Sequence, residues 1–130
     1  MPQLASITLT DGKSTPASHV FAPVTSNGSA AKLANRAASI PQGFETLEVL
    51  VRDPGKNTKA AYTIAGSMNL PTVATTEGLE KVVRNSKFEF TFRLSPDSTL
   101  QDRKDILALA ASLFGNAVMK NMVENVEPLY

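Results

Sequence analysis

Residues 87–94 read Lys-Phe-Glu-Phe-Thr-Phe-Arg-Leu and form the strictest alternation of polar and apolar side chains in the chain. Successive side chains of a β-strand point to opposite faces of its sheet. This stretch therefore puts its Phe side chains on one face and its charged and hydroxyl side chains on the other. The pattern predicts a strand with one buried and one solvated face.

Two further strands are predicted upstream, because the same period of two runs through residues 44–52 and 60–70. The Asp-Pro-Gly-Lys-Asn sequence at 53–57 favours a turn between them, and a loop is expected at 71–78. Residues 4–10 and 19–24 are typical of a hairpin around Asp-Gly-Lys at 11–13. The alanine-rich segment 30–38 is compatible with a helix or a strand, and a short strand is favoured.

The sequence pattern changes from that of strands to that of helices after residue 94. Ser98-Thr99-Leu100-Gln101 has the Ser-x-x-Gln form of a capping box, which predicts a helix from there to about Phe114. Gly115 is expected to end that helix in the left-handed conformation, and a second helix is expected from 116 to about 125.

These elements predict an α+β fold in a single domain, 1–130. An N-terminal hairpin occupies 1–25, a five-stranded antiparallel sheet occupies 26–94 with its loop at 71–78, and two helices occupy 98–125. The helices are expected to cover the face that carries the Phe residues. The opposite, polar face is then left open for a ligand.

Composition excludes several classes of function. The chain has 130 residues, no cysteine, one histidine and a formal net charge of +1. No disulfide or thiolate metal cluster can form, and bulk charge does not predict nucleic-acid binding. The sequence shows neither a membrane-spanning apolar run nor the basic-then-apolar pattern of a secretory signal. We therefore expect neither a membrane partner nor secretion.

Catalytic groups are sparse. A hydrolytic triad would have to use His19, the one imidazole, and a lone histidine is more often structural. The carboxylate pairs Asp102 with Asp105 and Glu124 with Glu127 have the spacing of a solvated helix surface. No glycine motif for phosphate binding is present. The sequence predicts no enzyme, no cofactor, no metal site and no small-molecule substrate.

A group of cationic residues is predicted around the open polar face. Such side chains, set among hydroxyls and amides, bind RNA phosphates and leave other groups free to read unpaired bases. On the sequence pattern alone, an ordinary solvated face with scattered charge is favoured over an RNA-binding face, because Glu48 and Glu89 interrupt the group. Its members are Arg52, Lys56, Lys59, Lys87 and Arg93.

Four motifs carry a resemblance to a known family. They are Val-Arg-Asp-Pro-Gly-Lys-Asn-Thr-Lys at 51–59 with Tyr-Thr-Ile at 62–64, Phe-Glu-Phe-Thr-Phe at 88–92, Ser-Thr-Leu-Gln-Asp-Arg at 98–103, and Asn-Val-Glu-Pro-Leu-Tyr at 125–130. In order and spacing across the full chain, they resemble the coat proteins of the single-stranded RNA bacteriophages, the leviviruses.

The resemblance implies an interlocked homodimer with a continuous ten-stranded sheet, in which the helices of each subunit clasp its partner. Dimers would assemble into an icosahedral shell, typically T=3, in the virion, after synthesis in the cytoplasm of the bacterial host. The loop 71–78 would meet copies of itself around symmetry axes, and without cysteine those contacts would be noncovalent.

The resemblance also implies that the inner sheet face binds genomic RNA, with an RNA hairpin at the replicase start as a target for translational repression. The residues carried over by position are Arg52, Lys59, Thr63, Asn85 and Lys87. Positions that hold a stacking aromatic or an adenine pocket in well-known members are here Glu48, Leu50, Ala65 and Asn85. We therefore expect a different preferred hairpin or weaker specificity. The alternative is a non-viral dimeric RNA-binding module or translational repressor that forms no shell.

Overall fold

The computed structural model describes residues 3–56 and 60–128. The chain divides into two compact units, residues 1–93 and 94–130. The first unit holds the strands, apart from the last residue of the final strand, and the second holds both helices. Each unit is described by itself below.

The first unit is a single sheet of six strands that lie in chain order. Its members are β1 (Ile7–Thr10), β2 (Ser18–Ser26), β3 (Ala30–Asn35), β4 (Glu45–Arg52), β5 (Tyr62–Thr76) and β6 (Leu79–Leu94). Strand β2 pairs with both β1 and β3, so the predicted N-terminal hairpin is continuous with the rest of the sheet. The alanine-rich segment is a strand, as favoured from sequence. The segment 26–94 holds four complete strands rather than the predicted five, because β2 begins at Ser18 in the N-terminal hairpin.

The expected loop at 71–78 is wrong. Strand β5 continues to Thr76 and β6 begins at Leu79, so two residues connect them. Those residues, Glu77 and Gly78, have φ angles of 54° and 80°, as in the type I′ turn that matches the twist of paired strands. The β-branched residues after Pro71 favour an extended chain. Pro71 itself is tolerated because the last residue pair between β4 and β5 is Thr46 with Asn69.

The core of the sheet lies on one face. Phe21, Leu33 and Leu47 are buried and contact one another. Register explains the cluster, because Leu33 lies opposite Leu47 and Leu47 lies opposite Met68. Cross-strand partners project from the same face, so three neighbouring strands build one apolar surface. We call this the core face.

The Phe residues of β6 extend the core face. The rings of Phe88, Phe90 and Phe92 follow one another at centroid distances of 6.0 and 5.9 Å. Gly66 lies opposite Val49, and a Cβ atom built on Gly66 would meet the ring of Phe90. The strict alternation of residues 87–94 is therefore confirmed as a strand whose Phe residues share one side.

In the second unit, α1 spans Leu100–Gly115 and begins one residue later than the sequence motif predicts. Thr99, rather than Ser98, is the N-cap: its Oγ1 accepts the backbone N–H of Asp102 at 3.1 Å. The Asp102 carboxylate in turn accepts the backbone N–H of Thr99 at 3.0 Å. Two reciprocal bonds complete the box with Asp102, which leaves Gln101 to bond Asp105.

The expected left-handed end at Gly115 is also wrong. Gly115 is the last helical residue, and the chain breaks at Asn116 with extended angles, φ −73° and ψ 140°. Asn116 accepts the backbone N–H of Val118 through its side chain and so begins α2 (Ala117–Asn125). One asparagine thus ends the first helix and caps the second. The left-handed residue is Val126, at the end of α2.

No residue of either helix is buried. Large apolar side chains of α1 and α2 are open to solvent, and Leu109 is 70% exposed. No single helix of the described chain is long and apolar enough to cross a membrane, although α1 and α2 taken together, with a 56° bend between them, meet the length and composition required.

Candidate nucleic-acid interface

The face of the sheet opposite the core is polar where β3, β4 and β5 pair. Arg52 lies opposite Thr63, and Glu48 lies opposite both Lys32 on β3 and Ser67 on β5. These residues alternate along their strands with the core residues, so they project from the other side of the sheet. We call this side the polar face.

Strand β6 adds its odd-numbered residues to the polar face. Phe90 lies on the core side, over Gly66, so its neighbours Glu89 and Thr91 point the other way. The pKa of Lys87 supports the same assignment for β6, because the charge of Glu48 on the polar face of β4 contributes to raising it. The β6 residues assigned to the polar face are Asn85, Lys87, Glu89, Thr91 and Arg93.

Two ion pairs reduce the positive charge of the polar face. Lys87 Nζ lies 2.7 Å from Glu89 Oε1, and Lys32 Nζ lies 3.9 Å from Glu48 Oε1. The hydrogen bond from Lys87 to Glu89 is the main cause of the raised pKa of Lys87, which stays fully charged at neutral pH. All four side chains are well exposed, so these pairs add little stability.

Arg52 and Arg93 form no ion pair within the described part of the chain, and both are exposed. Arg52 ends β4, next to the turn at which Asp53 Oδ1 accepts the backbone N–H of Gly55 at 2.7 Å. Arg93 is the penultimate residue of β6. Because guanidinium groups match phosphate oxygens bidentately, these two residues are the cations of the polar face best placed to bind an external anion.

A depression of about 580 Å³ opens on the sheet between β2 and β6. Its lining includes the small residues Ala30, Ala65 and Gly66 together with Leu50. Polar groups stand around them, with hydroxyls and an amide beside the two ion pairs. They include Asn27, Lys32, Glu48, Ser67, Glu89 and Thr91. This volume falls in the range of small-ligand sites, and the strands place hydrogen-bonding groups around it.

Several of the predicted site residues lie on the polar face. Arg52 and Thr63 form a cross-strand pair, and Asn85, Lys87 and Arg93 share one side of β6. Lys56 lies apart from the strands, exposed in the turn after β4. Lys59 lies outside the described residues, and its part in the site stays a prediction.

Sequence reasoning missed Lys32. Its position in an alanine-rich segment gave no clear periodicity, so no face could be assigned to it. The strand register assigns Lys32 to the polar face, because Lys32 lies opposite Glu48, which is on that face. Opposite charges directly across a strand pair indicate a shared face.

Comparison with known proteins identifies the family. The family model for the levivirus coat protein matches residues 2–130. Among solved structures, a virus-like particle of bacteriophage NT-214 superposes with a TM-score of 0.87 at 26% identity, covering 99% of this chain and 100% of that one. A virus-like particle of Beihai levi-like virus 21 superposes with a TM-score of 0.88 at 24% identity, with 99% of both chains covered.

The bacteriophage GA protein capsid has the same fold, with a TM-score of 0.73 at 16% identity over 94% of this chain and 95% of that one. No curated protein matches. The family match extends over nearly the whole chain, and it agrees with the six-stranded sheet followed by two helices. The chain therefore belongs to the levivirus coat protein family, as a structural capsid protein of the virion and not an enzyme.

Proposed function

We propose that this coat protein forms dimers that assemble into an icosahedral shell and bind genomic RNA on the polar face. The observation that carries the RNA proposal is the register. Together with the alternation along β6, it supports a place for Arg52, Lys87 and Arg93 on the side of the sheet opposite the core. Cations beside hydroxyls and amides provide phosphate contacts for affinity and free polar groups for the bases.

The proposed roles divide by chemistry. Guanidinium and ammonium groups would hold phosphates, and this group comprises Arg52, Lys56, Lys59, Lys87 and Arg93. Thr63 and Asn85 would contact sugars or base edges, because a hydroxyl and an amide both donate and accept hydrogen bonds. In this proposal, a hairpin at the replicase start is bound in the same way, and its occupation represses translation.

Two features support the proposed dimer: the exposed apolar surface of the helices and the open edge of β6. The helices expose an apolar surface, with Leu107 and Leu113 among its members, whose burial would favour association. Strand β6 has 16 residues and has a neighbour, β5, on one side only within the described sheet. An open edge of that length pairs readily with another strand. Two copies joined along β6 would give a continuous sheet, ten-stranded when β2–β6 of each copy are counted.

Assembly into particles is supported by the similar solved structures, which include virus-like particles. A T=3 shell in the virion, built from dimers in the bacterial cytoplasm, is the corresponding proposal for this chain. Light scattering or negative-stain images of the purified protein test it. A closed shell supports the proposal, whereas a dimer with no larger species would favour the non-viral RNA-binding module.

The RNA proposal is tested by charge removal on the polar face. Arg52→Gln and Lys87→Gln should each lower the RNA content of purified particles. Each should also reduce the slope of log affinity against log salt by about 0.7 for every phosphate of single-stranded RNA that the variant no longer neutralises. Arg36→Gln removes an exposed charge in the connection after β3 and serves as the matched control. Unchanged RNA content and slope in both polar-face variants would exclude this face as the binding surface.

A further inference from the structure

The one histidine of the chain stands between two carboxylates. His19 Nε2 lies 2.9 Å from Asp11 Oδ2, and its Nδ1 lies 2.7 Å from Glu45 Oε1 and 3.0 Å from Oε2. Asp11 directly follows β1, His19 is on β2 and Glu45 begins β4. The cluster therefore ties the N-terminal hairpin to a strand that is not its neighbour, since β3 lies between β2 and β4.

The geometry favours the protonated form of the imidazole. An ionised carboxylate only accepts hydrogen bonds, so each ring nitrogen must donate to its partner. A neutral imidazole has one N–H and one lone pair, and it would set that lone pair against a carboxylate oxygen at hydrogen-bond distance. The observed contacts are consistent only with an imidazolium, as long as both carboxylates are ionised.

Each carboxylate also accepts hydrogen bonds from donors other than His19. Asp11 Oδ1 accepts the backbone N–H groups of Lys13 and Ala17 at 3.2 and 3.0 Å. These bonds, with His19, hold the pKa of Asp11 well below its usual range, the bond from Ala17 being the largest cause. Glu45 Oε1 also accepts the side-chain N–H of Asn35 at 2.8 Å. These bonds fix the positions of both carboxylates on either side of the imidazole.

The charged environment of the cluster is small. The titratable groups at His19 are Asp11 and Glu45, and Lys13 lies 3.5 Å from Asp11 Oδ2. The side chains of His19, Asp11 and Glu45 are 27%, 19% and 18% exposed, so water screens their attraction only partly. Among the described residues, no group of three or more His, Asp or Glu side chains is placed to hold a metal ion.

We propose that His19 is a pH-operated clamp that fastens the N-terminal hairpin to β4 when the imidazole is protonated and loosens it when the proton leaves. Loss of the proton removes one of the two donors and leaves a lone pair facing a carboxylate. Strand β1 has four residues and, in the described sheet, pairs only with β2, so it depends most on nearby support. The connection 11–17, which Asp11 organises through Ala17, would loosen with it.

The direction of the effect follows from linkage. The pKa of His19 is raised above 6.5, first by the hydrogen bond to Asp11 and then by that to Glu45. A raised folded-state pKa gives stability that is fully present below the unfolded value and is lost as pH rises through the folded value. The clamp is therefore closed below pH 6.5 and opens as pH rises through the raised pKa of His19.

Hydrogen exchange measured by mass spectrometry on the purified full-length protein, in its native assembly, tests the clamp. Slow deuteration of the imidazole carbon between the two nitrogens reports the pKa of His19 without ambiguity, because the chain has a single histidine. Backbone exchange of residues 7–17, corrected for the intrinsic pH dependence of exchange, reports the hairpin. We expect the pKa of His19 to lie above 6.5. Protection of the hairpin backbone from exchange should fall several-fold as pH rises through the measured pKa.

Two variants separate a switch from a merely structural contact. His19→Gln removes the titrating group, so the corrected hairpin exchange should no longer change with pH. Glu45→Gln retains an oxygen acceptor but removes one charge, so it should lower the pKa of His19 and shift the transition to lower pH. A pKa of His19 at or below the ordinary histidine value, or hairpin protection that is equal on both sides of the transition, would overturn the proposal.

Discussion

The phenyl ring of Phe90 on β6 lies directly over Gly66 on β5: a Cβ atom at Gly66 would come within 2.5 Å of Cε1 of that ring. The same atom would lie 3.0 Å from the carbonyl oxygen of Glu48 on β4. The absence of a side chain at Gly66 thus allows the aromatic row of β6 to pack on the sheet. This close approach also fixes which residues of β6 face the opposite, polar side.

Gly66→Ala should therefore destabilise the protein. The added methyl group must displace the ring of Phe90, and overpacking of this kind costs about 1–3 kcal/mol. Denaturant unfolding measures the loss. Gly12→Ala is the matched control, because a Cβ atom there meets nothing within 4 Å. Equal effects of the two variants would show that Phe90 does not rest on Gly66.

The N-cap of α1 distinguishes two adjacent hydroxyls. Thr99→Ala removes the acceptor of the Asp102 N–H and should cost about 1 kcal/mol. Ser98→Ala should cost less, because within the described part of the chain the Ser98 hydroxyl bonds only the Arg103 side chain, at 3.4 Å. Thermal unfolding of the two variants, followed by circular dichroism, measures the difference. A larger loss in Ser98→Ala would place the cap one residue earlier.

Substitutions at the two residues of the turn between β5 and β6 should change the stability of the protein in opposite directions. Both of its residues are left-handed, with φ of 54° at Glu77 and 80° at Gly78. Glu77→Asn introduces the Asn-Gly pair preferred in type I′ turns and should raise the melting temperature. Gly78→Ala forces an L side chain into the left-handed region and should cost about 1 kcal/mol. If Glu77→Asn lowered the melting temperature, the two-residue turn would be contradicted.

Periodicity in the sequence predicted the strands that have one solvated and one apolar face, because the alternation is visible within eight or nine residues. It assigned Arg52 on β4 and Lys87 on β6 to the polar side. It did not predict the continuation of β5 past Pro71, since proline and the threonine-rich sequence after it are equally typical of a loop. Only the register shows that pairing with β4 has already ended there.

Other features depend on contacts between distant residues. His19 and Glu45 are 26 positions apart, and only the sheet brings the imidazole to the carboxylate. Ser98 and Thr99 are both good N-cap residues, and Gln101 and Asp102 both suit the third helical position. The structure selects Thr99 with Asp102 because these two form reciprocal bonds with each other's backbone.

The central claim is that RNA lies on the polar face of the sheet, and ultraviolet cross-linking of purified particles followed by mass spectrometry of RNA-bound peptides tests it most directly. We expect cross-links in β4, β5 and β6, concentrated near Arg52, Thr63 and Lys87. The N-terminal hairpin, residues 7–17, should be free of them. Cross-links concentrated in the hairpin or the helices, with none in those three strands, would contradict the account.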